Sequence, residues 1–404
     1  MLEGFFGLLT AKGIVSKGDD RMSTCYIAAD RFFLPEKVTG PGFLKIENGK
    51  FAGVSETPPA SGMQVLDYRG YWVAPGLVDT HIHGFHNVDV MDNDSEGLNR
   101  MSEGLLSCGV TSFLATTLTA STEQLNEVVT MIGAHYQNVQ GAKIKGIFLE
   151  GPFFTEKHKG AQNTNYFCDP NIAKLHGWQQ LSRGLIRKIA LAPERSGAEE
   201  FIAYAAKEGI AVALAHSDAT YQQAKQAVEK GASIFVHTFN GMSPLHHREP
   251  GMVGAAMSLK NVFAELICDG HHVHPAAAKI LMTARGCEEI VLVTDCMMAG
   301  GMPDGRYQLG EYPVIVKDGA ARLESGSLAG SILQLKDAVK HVVNWGLATV
   351  EEAIKMASLI PARSVGIDDE CGQIVAGFPA DFIVLTPELD VAATFLDGVC
   401  RYGA

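Results

Sequence analysis

The residues of this chain best suited to chemistry are four histidines and two acids, each closing a run of apolar residues. In APGLVDTHIHG (74–84) the run ends in His81-Ile82-His83. Side chains alternate faces along a strand, so residues two apart project together, and two imidazoles leave the end of a buried strand side by side. Four later runs end in the same way: KGIFLEG carries Glu150, AVALAHSDA carries His216, SIFVHTFN carries His237 and EIVLVTD carries Asp295. Zinc, iron and similar divalent ions favour this mixture of nitrogen and oxygen donors. Taken singly, each residue has an ordinary reading, as a hydrogen-bonded histidine, a helix cap or the partner of a buried arginine. Six of them at the ends of apolar runs point to a metal centre, because buried uncompensated charge is costly.

Positioning them requires an architecture that gathers strand ends. Candidate strands are 77–83, 111–117, 145–151, 188–194, 211–219, 233–240, 262–270 and 289–295, and helical patterns such as STEQLNEVVTMIGAHYQ and TYQQAKQAVEKG lie between them. Eight such units predict an α/β fold of the (β/α)8 type, whose buried parallel strands read as continuous apolar runs and whose active sites sit at the strands' C-terminal ends. An open doubly wound sheet is the alternative, but it leaves the recurring strand-end polar residues unexplained. The chain ends read differently. Residues 24–71 show short strands with an Asn48-Gly49 hairpin signal, and the stretch from Gly372 is similar. The expected organisation is an N-terminal extension (1–21), a small β-sandwich domain built from both ends (22–76 and 366–404), and a hydrolase barrel (77–365).

Bulk properties narrow the function. In 404 residues, 47% are hydrophobic and 19% charged, as expected of a globular enzyme. A net charge of −12 without a basic run argues against nucleic acid as a partner, and an anionic ligand needs a locally positive pocket. No apolar run approaches the roughly 20 residues of a membrane span, so no membrane partner is expected. Eight cysteines without C-x-x-C spacing suggest reduced thiols in a cytoplasmic protein. His135, His158, His176 and His341 have no partner pattern and are expected at the surface, with His86 in a loop at the rim.

The motifs PGLVDTHIHG, LEGPFFTEKHKGAQN, LAHSDA, HTFNGMSPLHHREPGMVGA, CDGHHVH, VTDCMMAGG and LAGS, spread from Pro75 to Ser331, resemble the metal-dependent amidohydrolase superfamily, and within it the N-acetylglucosamine-6-phosphate deacetylase family. The resemblance implies removal of acetate from a small-molecule amino sugar phosphate, in amino sugar catabolism and recycling. It implies that Glu150, His216 and His237 form the shared metal site. Because His81 and His83 are retained, it implies capacity for two ions, zinc or iron, bridged by Glu150. Asp295 becomes the general base and then the acid, and its replacement by asparagine is expected to cost turnover and spare metal binding. For the phosphate, Arg248 offers a planar fork suited to its oxygens, His272 is the matching family position for a second contact, and the backbone at Asn240 and Gly241 supplies N–H donors. Gln162 lies where other members carry a histidine near the sugar. A neighbouring subunit can contribute to the phosphate site in this family, which implies a homodimer. Three competing readings are a cyclic amidase, an N-acyl-amino-acid deacylase and a silent relative. The first places a metal-bridging lysine at the end of strand four, whereas Lys188 lies at its beginning. The second does not explain Arg248 with His272, and the third usually loses a ligand.

Overall fold

The computed structural model describes residues 24–403; the expected extension at 1–21 lies outside them. Eight parallel strands form the central sheet in chain order: Leu77–Ile82, Val110–Thr117, Lys143–Phe153, Ile186–Leu191, Ala211–Leu214, Ala232–Phe235, Phe263–Leu266 and Ile290–Leu292. The first two are buried at every residue, as strands covered on both faces must be. The ring closes between its first and last strands. The Asp295 N–H donates to the His81 carbonyl (2.9 Å), and the His83 N–H donates to that of Cys296 (2.9 Å). Buried Asp79 reinforces the seam, accepting from Thr294 Oγ1 (2.6 Å) and the His81 N–H (3.2 Å).

Helices cover the outside by amphipathic spacing. In Thr122–His135, Leu125, Val128, Val129 and Ile132 are buried at the i, i+3, i+4, i+7 positions of one face. Ser121 caps this helix by accepting from the Gln124 N–H, and Tyr221–Lys230 opens on a capping box between Thr220 and Gln223.

Both chain ends build one eight-stranded sheet. Val65–Pro75 sits at its middle, parallel to Thr24–Phe33 and antiparallel to Phe382–Leu385. Asn48 and Gly49 turn with positive φ (50° and 75°) between Gly42–Glu47 and Lys50–Ser55, the geometry that favours this dipeptide. The sheet folds back on itself: the Phe51 N–H donates to the Phe378 carbonyl and the Gly377 N–H to that of Phe51. It encloses its own apolar core of Ile27, Phe32, Leu44, Phe382 and Phe395 among others. Lys143, on the third barrel strand, ties the two parts together through Asp381 and Asp397, both at 2.8 Å.

One element was not anticipated. Gly305–Leu309, Tyr312–Lys317 and Ala320–Leu323 form an antiparallel meander between the eighth strand and the helix Leu335–Asn344. The Asp318-Gly319 dipeptide, a turn with positive φ at both residues, was its visible sign in the sequence.

Candidate metal centre and substrate pocket

Three of the six strand-end residues lie beyond the regular strands, in strained backbone. His216, His237 and Asp295 follow the fifth, sixth and eighth strands with φ of 42°, 33° and 50°. Non-glycine residues enter this left-handed region at a cost of order 1–3 kcal/mol each, and such strain persists only where the surroundings over-determine it. Here they do. His216 Nδ1 donates to the His158 carbonyl (2.9 Å), His237 Nδ1 donates to that of Asn240 (3.0 Å), and the Asp295 carbonyl accepts from the Ser331 N–H (2.7 Å). Gly241 (φ 61°) packs so closely that a Cβ there would lie 2.9 Å from His216 Nδ1.

The six side chains converge in two groups of three, His81–His83–Asp295 and Glu150–His216–His237, all buried. Glu150 joins them. Its Oε1 lies 3.5 Å from His81 Nε2, 3.4 Å from His216 Nε2 and 3.3 Å from His237 Nε2, while its Oε2 lies 3.2 Å from His83 Nε2. Asp295 Oδ1 is 3.3 Å from His81 Nε2 and 3.2 Å from His83 Nε2.

Donor arithmetic tests whether these residues suit a metal. A carbonyl only accepts, so Nδ1 carries the proton in His216 and His237. Burial pushes the His237 pKa down, leaving the ring neutral at pH 7 with a bare Nε2. That nitrogen lies 3.2 Å from His216 Nε2. Both nitrogens, His216 Nε2 and His237 Nε2, also face Glu150 Oε1, at 3.4 and 3.3 Å, so the three atoms crowd around one point where a cation would sit. His81 Nε2 is likewise buried without a hydrogen-bond partner, although two carboxylates surround it. Burial opposes charge on His81 and His83, yet the Asp295 and Glu150 carboxylates outweigh it and raise their pKa values to about 9 and about 10. Conversely, the imidazoles overcome burial and hold both carboxyls far below the usual range. The site demands positive charge, and its donors fit a divalent metal.

The pocket above this centre is lined by His83, Glu150, Gln162, His216, His237, Asn240, Gly241, His272 and Asp295, with His81 buried beneath. Gln162 turns toward Glu150: its amide donates to Glu150 Oε2 (2.8 Å) and its oxygen accepts from the Thr119 N–H (3.1 Å). His272 is oriented by Asp269, whose carboxylate accepts from His272 Nδ1 (2.6 Å) and from the His271 and His272 N–H groups. Burial opposes ionisation of Asp269, but these donors hold its carboxyl below the usual range.

Arg248 is not brought into this pocket. It is exposed, as is Leu245 in the same segment, with its guanidinium against His247 Nε2 (2.7 Å). Two histidines expected at the surface are also engaged. His341 is bonded to the Cys268 carbonyl and stacked on Trp345, and half-buried His158 pairs with Asp218 while its carbonyl anchors His216. The grouping of Asp295 with His81 and His83 makes it a candidate ligand as well as a base, so an asparagine there is no longer expected to leave both groups intact.

Sequence reasoning missed Glu265, Lys188 and Asp79, all fully buried below the pocket. Each interrupts an apolar barrel strand with a charge, the signal that would have found them. It also missed the apolar wall of Leu118, Leu309 and Leu328, because the meander supplies part of it.

Comparison with known proteins agrees with this geometry. The model of the amidohydrolase family matches residues 72–400. An N-acetylglucosamine-6-phosphate deacetylase of Vibrio furnissii is 40% identical over 353 residues, covering 87% of this chain and 88% of that protein. An N-acetylgalactosamine-6-phosphate deacetylase of Escherichia coli O157:H7 is 40% identical over 356 residues, covering 88% and 93%. Among solved structures, a mutant Mycobacterium smegmatis N-acetyl-D-glucosamine-6-phosphate deacetylase in complex with N-acetyl-D-glucosamine-6-phosphate superposes with a TM-score of 0.89 at 30% identity. That match covers 94% of this chain and 99% of the other. The chain belongs to the amidohydrolase family, in the group of amino-sugar-phosphate deacetylases that these relatives define.

Proposed function

We propose that this protein hydrolyses N-acetylglucosamine 6-phosphate to glucosamine 6-phosphate and acetate, in amino sugar catabolism and recycling. The observation that carries the reading is the convergence of two groups of three metal-binding side chains, His81–His83–Asp295 and Glu150–His216–His237, at one pocket. Glu150, His216 and His237 would hold one ion and His81, His83 and Asp295 a second, with Glu150 between them and zinc or iron as the metal. A divalent ion held there would supply Lewis acidity, lowering the pKa of water toward neutrality and polarising the amide carbonyl.

The chain's own groups do the rest. Asp295 accepts a proton from the attacking water and returns it to the departing sugar amine. Its position inside the pocket mouth, 9% exposed, lets it reach both while the apolar wall of Leu118, Leu309 and Leu328 limits bulk water. His272 and the backbone around Asn240 and Gly241 contact the sugar phosphate, and Gln162 steadies Glu150. Arg248, carried outward on its exposed loop, completes the phosphate site of a partner copy in a homodimer. On this reading the protein works in the cytoplasm. Among the described residues no helix is long and apolar enough to cross a membrane.

The test is acetate release from N-acetylglucosamine 6-phosphate and from its unphosphorylated counterpart, with and without a chelator. The expected result is strong preference for the phosphorylated sugar, lost on chelation. Removing Arg248 should narrow that preference. Equal rates on the two sugars, or undiminished turnover after complete demetallation, would refute the reading.

A further inference from the structure

Beneath the centre lies an ion pair that no step above uses. Lys188 and Glu265 are both fully buried inside the barrel, on its fourth and seventh strands. The Lys188 ammonium donates to Glu265 Oε1, approaches the Thr80 carbonyl (3.4 Å) and lies 3.7 Å from the centre of the Phe148 ring. Glu265 Oε2 faces His81 Nδ1 (3.1 Å) and the His237 backbone N–H (3.4 Å). We infer that Glu265 and Lys188 are positioning residues that hold a proton on His81 Nδ1, and so reserve Nε2 for the ion of the first-strand group.

The argument is one of donors and acceptors. An ammonium and a backbone N–H can only donate. Lys188 therefore commits Oε1 to accepting, and the His237 amide commits Oε2 to accepting. Paired with the ammonium, Glu265 is a carboxylate with no proton to give, so the contact at His81 Nδ1 has one solution: Nδ1 donates. Its other nitrogen, which faces Glu150 and Asp295, is then the one that can exchange its proton for an ion. Partners of this kind orient ligating histidines, and their loss typically weakens metal binding by about 10–100-fold. Lys188 touches no proposed ligand, yet it acts on one through Glu265. His216 and His237 take their Nδ1 partners from backbone carbonyls instead, so the Glu150 group should not depend on the pair.

This rests on the metal reading above, and the test separates the two. Ions bound per chain and their affinities would be measured by competition with a chromophoric chelator, using Co²⁺ on demetallated protein, with the cobalt absorption spectrum recorded. In Glu265→Gln, the ammonium claims the amide oxygen and turns the amide NH2 toward His81 Nδ1, which must then accept and put its proton on Nε2. One of the two ions should weaken by about 10–100-fold, with a changed spectrum, while the other keeps its affinity. In the double variant Lys188→Met/Glu265→Gln the amide is free to turn its oxygen to His81 and His237. Binding should then recover to within a few-fold of wild type. Recovery on adding a second substitution is not what mere loss of packing produces. Unchanged cobalt binding in Glu265→Gln, or a double variant as weak as the single one or weaker, overturns the inference while leaving the metal reading intact. Wild-type protein that takes up no cobalt overturns both.

Discussion

Replacing Asp295 by asparagine separates proton transfer from architecture. The backbone at 295 is held independently of its side chain, by the N–H donating to the His81 carbonyl at 2.9 Å and the carbonyl accepting from the Ser331 N–H at 2.7 Å. Asparagine has nearly the same shape and tolerates left-handed φ better than most residues, so the fold should survive. What disappears is the proton acceptor. General acid–base catalysis by a positioned side chain contributes about 10²–10⁴-fold, or roughly 3–5 kcal/mol at 1.36 kcal/mol per decade. A second loss is electrostatic. The carboxylate oxygen lies 3.3 and 3.2 Å from His81 and His83 Nε2, so its charge also belongs to the first-strand metal group. The expected outcome is a kcat for acetate release lowered by two to four decades at saturating metal, a modest change in KM, and one ion bound more weakly while the Glu150 ion is unchanged. A fully metallated Asp295→Asn enzyme with kcat within tenfold of wild type would refute the assignment of Asp295 as base.

Asp269→Asn should act on recognition rather than chemistry. Without the charged acceptor at 2.6 Å from Nδ1, His272 is held less firmly. KM for the phosphorylated sugar should rise about tenfold, as loss of a charge-assisted hydrogen bond implies, with kcat changed less; an unaltered KM would remove His272 from the phosphate site. Lys143→Met tests the junction between barrel and folded sheet. It leaves the buried Asp381 carboxylate without its ammonium, and breaking such a pair should cost about 3 kcal/mol at pH 7. Burial already raises the Asp381 pKa and Lys143 restrains it; removing the lysine pushes it higher still. The deficit should therefore be full at neutral pH, shrink as pH falls through that raised value, and be smallest at or below the unfolded carboxyl value of about 4. Urea melts of both proteins across this range check it, and a deficit that grows toward acid would contradict the assignment.

The chain alone carried the identities of the converging donors and the architecture that gathers them. A buried parallel strand has to be apolar throughout, so a histidine or acid at its end stands out, and eight alternating units leave few ways to arrange those ends. The Asn48-Gly49 hairpin was legible for a similar reason, since its two positive φ angles restrict the residues that can occupy them. Other features belonged to the tertiary structure. That the sheet built from the chain ends folds back on itself as one continuous surface depends on pairing between residues more than 300 positions apart, such as Phe51 with Phe378. Lys188 and Glu265 were each visible as a charge within an apolar strand, but only ring closure set them against one another and against His81. Arg248 shows the reverse: its residue type suited a phosphate, and nothing local in HHREPG could reveal that it is exposed and does not line its own pocket. Sequence specifies which groups can donate, accept or ligate; the distances and directions that turn those capacities into a site come from contacts far apart along the chain.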